Sequence, residues 1–186
     1  ILGDEERFKD VKKIISTAFN DHKTLSEITR SFVRSVFSDK GLLIIDGDDE
    51  DFKKQFSKIA VQEVENQTSY KAVKKQLLLM RNYKIQVNPR DVNLFYIEDE
   101  IRERIVKTEL GFSTVNRLKK WTPKTFKDFA ENSASSLSPN VLLRPLYQEL
   151  LLPNVAYIGG AGEISYWLEL EPMFKDFGVQ YPLPIV

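Results

Sequence analysis

The sequence predicts an α/β protein in which helices alternate with short strands. Apolar residues recur at spacings of three and four from Asp4 to Asn20, which is the period of one helix face. The continuous apolar run Leu42 to Ile45 is typical of a buried strand, and Val155 to Ile158 is a second apolar strand that leads through a turn into a helix. Together with the run Tyr181 to Val186, we expect these segments to be parallel strands of the core.

Local signals place the helices in the first part of the chain. Thr24 followed by Glu27 predicts a capping box and a second helix, which we expect to end near Gly41. The acidic turn Asp46 to Asp49 lacks the spacing of a calcium loop and predicts the cap of a third helix. The apolar period of that helix is interrupted between Asn66 and Ser69, which leaves open whether it is one kinked helix or two.

A β-hairpin is predicted further along the chain. Val92 to Ile97 and Ile101 to Val106 are rich in β-forming residues, and the acidic residues between them predict the turn. Thr122-Pro123 predicts the N-cap and first position of a short helix. We expect Ser133 to Ser138 to be the least regular segment of the chain.

Composition excludes several classes of site. The 27 basic and 27 acidic residues give the 186-residue chain no net charge, so we expect neither nucleic acid nor a membrane as a partner. There is no cysteine and one histidine, His22, which leaves no thiol nucleophile, Ser-His-Asp triad or histidine-based metal site within these residues. We therefore expect a cytoplasmic protein with no metal site. The chain starts at Ile1 without a methionine and stops on an apolar run, so we expect a piece of a longer protein.

The glycine turn between Ile158 and Glu163 is the first candidate for ligand binding. Gly159, Gly160 and Gly162 permit positive φ and close approach of a ligand to backbone N–H groups. A helix N-terminus favours negative charge, and Glu163 either complements the helix dipole or binds a ligand amine. A tight turn with a capping glutamate explains the same pattern equally well.

Arg144 is the second candidate, because it stands in the apolar segment Asn140 to Glu149. An arginine in such a setting needs a carboxylate, a phosphate or several carbonyl groups as partners. Gln148 and Tyr147 add neutral hydrogen-bonding groups on the same segment, and such a polar cluster within apolar sequence is a reasonable pocket wall. The alternative is a structural ion pair of Arg144 with Glu149 or Glu163.

A third polar group surrounds the predicted hairpin. Side chains alternate along a strand, so Arg102 and Arg104 point to the same face and could grip an anionic substrate. Charged residues on an exposed strand face are more often simply solvated. The other members of this group are Asn88, Arg90, Asn93 and Tyr96.

Three stretches carry a family resemblance. The sequences VNPRDVNLFYIEDEIRERI, SPNVLLRPLYQELLLPNVAYIGGAGEISYWLEL and FVRSVFSDKGLLIIDGDD resemble, in the same order, the middle part of the cysteine-adding enzyme (cysteine ligase) of bacillithiol biosynthesis. The resemblance implies an incomplete three-layer Rossmann-like core, similar to class I aminoacyl-tRNA synthetases and nucleotidyltransferases. It implies a core in residues 1–65 and 137–186, with an inserted connecting region in residues 66–136.

The same resemblance implies a function. Members of the family join cysteine to glucosaminyl malate through an amide bond, with ATP or ADP as the nucleotide and a cysteinyl adenylate as the expected intermediate. It implies that Arg144, Asn140 and Gln148 line the substrate pocket, with Arg144 holding a malate carboxylate or a phosphate. It also implies that Gly159, Gly160 and Gly162 offer N–H groups to that ligand and that Glu163 orients an amine. Asn88, Arg90 and Arg104 are further implied substrate contacts. The full-length protein is expected to be a homodimer with a coiled coil.

The sequence departs from the family pattern in one respect. It contains neither the histidine-rich nucleotide signature nor the later lysine-bearing loop of such cores, and its catalytic residues are unknown. We therefore predict that the isolated 186 residues are inactive. Two alternatives remain, a non-catalytic binding or scaffold module and a nucleotidyltransferase for another small molecule.

Overall fold

A computed structural model describes residues 6–99 and 101–186, and the chain divides into two compact units, Ile1–Gly47 and Asp48–Val186. The sequence analysis places no boundary at this position. The assignment of residues 66–136 to an insertion stays a prediction.

The first unit contains two helices, α1 (Glu6–Asp21) and α2 (Leu25–Val36). The capping box is confirmed, because the Thr24 hydroxyl accepts from the Glu27 N–H at 3.3 Å and the Glu27 carboxylate accepts from the Thr24 N–H at 3.1 Å. The predicted end of α2 at Gly41 is wrong. The chain leaves the helix after Val36 and turns, and the φ of 66° at Gly41 belongs to that turn.

The predicted strand Leu42 to Ile45 is also wrong. No strand pairs with it within residues 6–99 and 101–186, and Leu42 and Leu43 are 52% and 66% exposed. An apolar run becomes a strand only where a neighbouring strand satisfies its backbone groups.

The second unit begins with two helices, α3 (Glu50–Asn66) and α4 (Thr68–Leu79). The side chain of Asp49 accepts from the Asp51 N–H at 3.0 Å, which confirms the predicted cap. Gln67 between the helices is left-handed, with φ of 54°, so the interrupted period reflects two helices rather than one kinked helix.

An antiparallel sheet follows in the order β4-β3-β2-β1-β5. The hairpin of β1 and β2 is confirmed, with Glu98 opposite Ile101. The expectation that Ser133 to Ser138 is irregular is wrong, because Ala134–Ser136 is a 3-10 turn and buried Leu137 pairs with Tyr96. The strands are β1 (Leu94–Glu98), β2 (Ile101–Thr108), β3 (Gly111–Thr114), β4 (Lys120–Trp121) and β5 (Leu137–Pro139).

The last part of the chain alternates helix and strand. The predicted helix at Thr122-Pro123 is α5 (Pro123–Asn132), and the later elements are α6 (Arg144–Leu151), β6 (Ala156–Ile158), α7 (Ala161–Phe177) and β7 (Leu183–Ile185). Strands β6 and β7 pair in parallel, as the sequence predicts. The α/β class is thus confirmed, but the larger sheet is antiparallel and the parallel pair stands apart from it.

The apolar core lies within the second unit. Aromatic side chains of β4 and α5 pack over the sheet, where the Trp121 and Phe126 rings meet edge to face at 5.8 Å. Helix α7 packs on α4 and buries Trp167 and Phe174. No helix in the described ranges is long and apolar enough to cross a bilayer.

Candidate functional site

Two cavities share the residues Asn140 and Val141 where β5 leads into α6. We call the first the arginine cavity; it measures about 310 Å³ and is lined by Arg90, Val92, Leu94, Phe95, Arg102, Arg104, Asn140 and Val141. We call the second the asparagine cavity; it also measures about 310 Å³ and is lined by Gln86, Val87, Asn88, Asn140, Val141, Leu142 and Tyr166. Four predicted site residues, Asn88, Arg90, Arg104 and Asn140, therefore lie together.

Strand β2 places two arginines in the arginine cavity. Arg104 stands opposite Phe95 of β1, and the alternation of side chains brings Arg102 to the same face. The Arg102 guanidinium carbon lies 3.7 Å from the centre of the Phe95 ring, a cation–π contact that holds it over the cavity wall. Arg104 is half-buried, whereas Arg90 and Arg102 are exposed.

No described carboxylate pairs with the positive charges of the arginine cavity. Within the part of the chain that the structure describes, Arg90, Arg102 and Arg104 form no ion pair. Guanidinium groups that converge without a carboxylate partner form a site suited to carboxylate or phosphate. The sequence predicted the residue types and the shared face, but not the cavity.

Asn140 lines both cavities and is held in place by hydrogen bonds to Asn93. Its backbone N–H donates to the Asn93 carbonyl at 3.1 Å, and its side-chain NH₂ donates to Asn93 Oδ1 at 2.8 Å. Its own side-chain oxygen accepts from the N–H groups of Leu142 and Leu143 at 2.9 and 3.2 Å. Asn140 therefore fixes the loop that enters α6.

The expected environment of Arg144 is wrong. Arg144 is exposed at the start of α6, and its guanidinium donates to Gln148 Oε1 at 3.5 Å. Neither predicted ion pair forms, since buried Glu149 accepts from Asn154 instead and Glu163 accepts from Tyr157. The period of α6 turns the neighbouring apolar residues to the core and leaves Arg144 on the opposite face. Its anion-binding role stays a prediction.

None of the three glycines in the turn adopts the positive φ that glycine permits. Space at Gly159 is tight, since a Cβ there would lie 3.2 Å from both the Glu163 carboxylate and the Tyr157 ring, and these side chains would have to move by a few tenths of an ångström. The Gly159 N–H donates to the Ile185 carbonyl at 3.0 Å, so it is not available to bind a ligand. A Cβ at Gly160 or Gly162 would meet nothing within 4 Å, and α7 starts at this point without a side-chain cap.

Two tyrosines lie near these features, Tyr157 beside the glycine turn and Tyr166 in the wall of the asparagine cavity. Tyr157 donates its hydroxyl to Glu163 and stacks on Trp167 with ring centres 4.1 Å apart. Burial is the main cause that raises the pKa of Tyr157, and the hydrogen bond to Glu163 raises it further. Tyr166 donates to the Val141 carbonyl, and burial raises its pKa to about 12 while the Arg144 charge opposes the shift. Sequence analysis missed Tyr166, because its spacing in α7 resembles that of a packing residue.

Comparison of the sequence with known proteins decides the family. The family model described as "Bacillithiol biosynthesis BshC, N-terminal Rossmann-like domain" matches residues 1–186. This chain belongs to the BshC family. The predicted family and the Rossmann-like α/β class are thereby confirmed.

The BshC relatives are named "Putative cysteine ligase BshC" in each organism. The chain is 43% identical to the relative from Flavobacterium johnsoniae and 40% identical to that from Flavobacterium psychrophilum, in both cases over 100% of this chain. It is 29% identical to the relative from Lysinibacillus sphaericus over 98% of this chain. It spans 35% of the length of each of these three BshC proteins.

Proposed function

We propose that this chain is the substrate-binding part of a cysteine ligase in bacillithiol biosynthesis, and that the arginine cavity holds the malate carboxylates of glucosaminyl malate. The observation that carries the proposal is a cavity of about 310 Å³ lined by three guanidinium groups, none of which forms an ion pair with another described residue. Malate carries two carboxylates, and planar guanidinium groups bind carboxylates with paired hydrogen bonds. Membership of the BshC family supports the choice of this substrate.

The proposed reaction forms an amide between the cysteine carboxyl and the glucosamine nitrogen, with ATP as the source of activation. The residues that suit a nucleotide phosphate are at the start of α7, where Gly160 and Gly162 leave space beside a helix N-terminus without a side-chain cap. Arg144 is the cation proposed to bind the phosphate, and Glu163 is proposed to orient the attacking amine through its position in the first turn of α7. A cytoplasmic homodimer is part of the proposal, as is the inactivity of these residues in isolation.

The first test is Arg104→Ala in the full-length protein. We expect the KM for glucosaminyl malate to rise by about 10- to 100-fold, since a hydrogen bond to a charged group contributes about 1.5–3 kcal/mol. Affinity for glucosamine without malate should stay the same, because the lost contact is to the carboxylates. Steady-state kinetics measures the KM for glucosaminyl malate, and isothermal titration measures the affinities for the two ligands.

The matched control is Arg117→Ala. Arg117 likewise forms no ion pair with a described residue, but it is exposed in the turn between β3 and β4 and lines neither cavity. We expect it to leave the KM for glucosaminyl malate unchanged. A folded Arg104→Ala variant with wild-type affinity for glucosaminyl malate would remove the arginine cavity from the substrate site.

A further inference from the structure

Glu63 is a fully buried carboxylate, and no cation pairs with it among the residues that the structure describes. It lies in the last turn of α3 and accepts from Ser69 through the backbone N–H at 2.9 Å and the hydroxyl at 2.6 Å. It also accepts from Asn93 through the backbone N–H at 3.0 Å and the side-chain NH₂ at 3.1 Å. Burying a carboxylate is costly, and these donors offset the cost.

The carboxylate sets the direction of a chain of hydrogen bonds. A carboxylate only accepts, so Asn93 turns its NH₂ toward Glu63 and its side-chain oxygen away, and the same NH₂ also donates to the Ser69 hydroxyl and the Arg90 carbonyl, both at 2.7 Å. That oxygen then accepts from the Asn140 NH₂ at 2.8 Å and from the Arg90 N–H at 3.3 Å. Asn140 consequently presents its own oxygen to the N–H groups of Leu142 and Leu143.

The series of hydrogen bonds that starts at Glu63 ends on two walls of the arginine cavity. On one wall, Asn93 accepts from the Arg90 N–H and donates to the Arg90 carbonyl at 2.7 Å, so it holds the backbone of Arg90 from both sides. On the other wall, Asn140 lines both cavities and fixes the loop into α6. Glu63 itself lines neither cavity.

We propose that Glu63 is a positioning residue of the substrate site, which acts through Asn93 to hold Arg90 and Asn140 in place. This inference rests on the proposed function, since Arg90 and Asn140 are proposed substrate contacts. A purely structural Glu63 would tie α3 to the start of α4 through Ser69 and would affect only stability. A positioning residue also changes the affinity for the malate-bearing substrate.

The matched control is the buried Glu149, which is 1% exposed. It too accepts from an asparagine, through the Asn154 backbone N–H at 2.9 Å and the Asn154 side-chain NH₂ at 2.9 Å. Neither Glu149 nor Asn154 lines the two cavities. Glu149 also accepts from Gln148 at 3.4 Å, and Gln148 lines neither cavity. Glu63→Gln and Glu149→Gln therefore make the same chemical change in similar surroundings, and only Glu63 is joined by hydrogen bonds to residues that line the arginine cavity.

The experiment compares both variants in the full-length protein. We expect both to unfold at lower denaturant concentration than wild type, and only Glu63→Gln to raise the KM for glucosaminyl malate, by about tenfold or more, because small misplacements of binding groups cost up to about 10²-fold. The KM for cysteine should stay the same. Glu63→Asp, which keeps the acceptor on a shorter side chain, should give an intermediate KM. Should Glu63→Gln not fold, Glu63→Asp is compared with Glu149→Asp by the same criterion.

The outcomes separate the two proposals. Equal KM values for the Glu63 and Glu149 variants, together with the expected rise for Arg104→Ala, would overturn the positioning role and leave the proposed function intact. An unchanged KM for Arg104→Ala would overturn both, because the site that Glu63 is proposed to support would not bind the substrate.

Discussion

At three places in this protein, a buried glutamate accepts hydrogen bonds from backbone N–H groups that lie outside the helices and strands. Glu63, Glu149 and Glu169 are all at most 1% exposed and form no ion pair among the described residues. Each accepts from backbone N–H groups of an irregular segment, and Glu169 binds those of Gln86 and Val87 at 2.8 and 3.0 Å. A buried N–H without a partner is costly, so each carboxylate fixes a segment that has no sheet or helix to satisfy it. Two of these segments border the cavities.

Titration of Glu63 gives a prediction about stability. Burial raises the pKa of the Glu63 carboxyl above 4.5, and the hydrogen bonds from Ser69 and Asn93 offset this only in part. The folded protein therefore keeps the Glu63 proton at a pH where the unfolded chain has released it, so the free energy of unfolding falls as the pH rises from 4.5 to the raised pKa. Glu63→Gln does not titrate.

We expect the stability of wild type relative to Glu63→Gln to fall with rising pH over this window and to level off above it. Urea unfolding of both proteins at a series of pH values measures the difference in the free energy of unfolding. A difference that is constant with pH would contradict the raised pKa.

At the scale of elements, local signals were predictable from sequence and pairing partners were not. The caps at Thr24, Asp49 and Thr122 depend on side chains and N–H groups within three residues, so the sequence contains all the information. Leu42 to Ile45 has the composition of a strand but pairs with no strand in the described part of the chain, whereas Leu137 belongs to a strand because it pairs with Tyr96. Pairing between distant segments decides both cases.

In the candidate site too, local features were predictable from sequence and contacts between distant segments were not. The hairpin is local, so the shared face of Arg102 and Arg104 was predictable. Arg144 was expected to be buried because its neighbours in sequence are apolar, but helix geometry separates it from them. Glu63 was not found, because its partners Ser69 and Asn93 come from other segments and a helical glutamate is usually solvated.

The close contact between β3 and β4 gives a prediction at this scale. Gly111 has φ of 149°, and a Cβ there would lie 2.1 Å from the Trp121 carbonyl oxygen. Gly111→Ala should therefore separate the strands and lower the free energy of unfolding by about 2–4 kcal/mol. Gly160→Ala is the control, since φ is −67° and the new Cβ meets nothing within 4 Å. Denaturant unfolding of both variants measures this, and equal stabilities would contradict the strand geometry.

At the scale of the whole molecule, the two units differ in how much apolar surface they bury. The buried apolar cluster runs from Phe56 to Phe177 and belongs entirely to the second unit. In the first unit, Ala18 is the one buried apolar residue among those described, and α2 has no buried residue. Because burial of apolar surface is the main favourable term in folding, the second unit contains most of the stability.

This distribution predicts that residues 48–186 fold without the first unit. The shortened chain keeps the ion pair of Asp48 with Lys53 and the cap of Asp49 on α3, so the start of α3 stays intact. Amide hydrogen exchange, read by mass spectrometry, should show the same protection in α3, α7 and β1 with and without residues 1–47. In the 186-residue chain, the amides of α2 should exchange much faster than those of α7, because local opening there exposes little additional apolar surface. Loss of protection in α7 on shortening would show that stability is shared between the units, whereas retained protection places it in the core around Trp167 and Phe174.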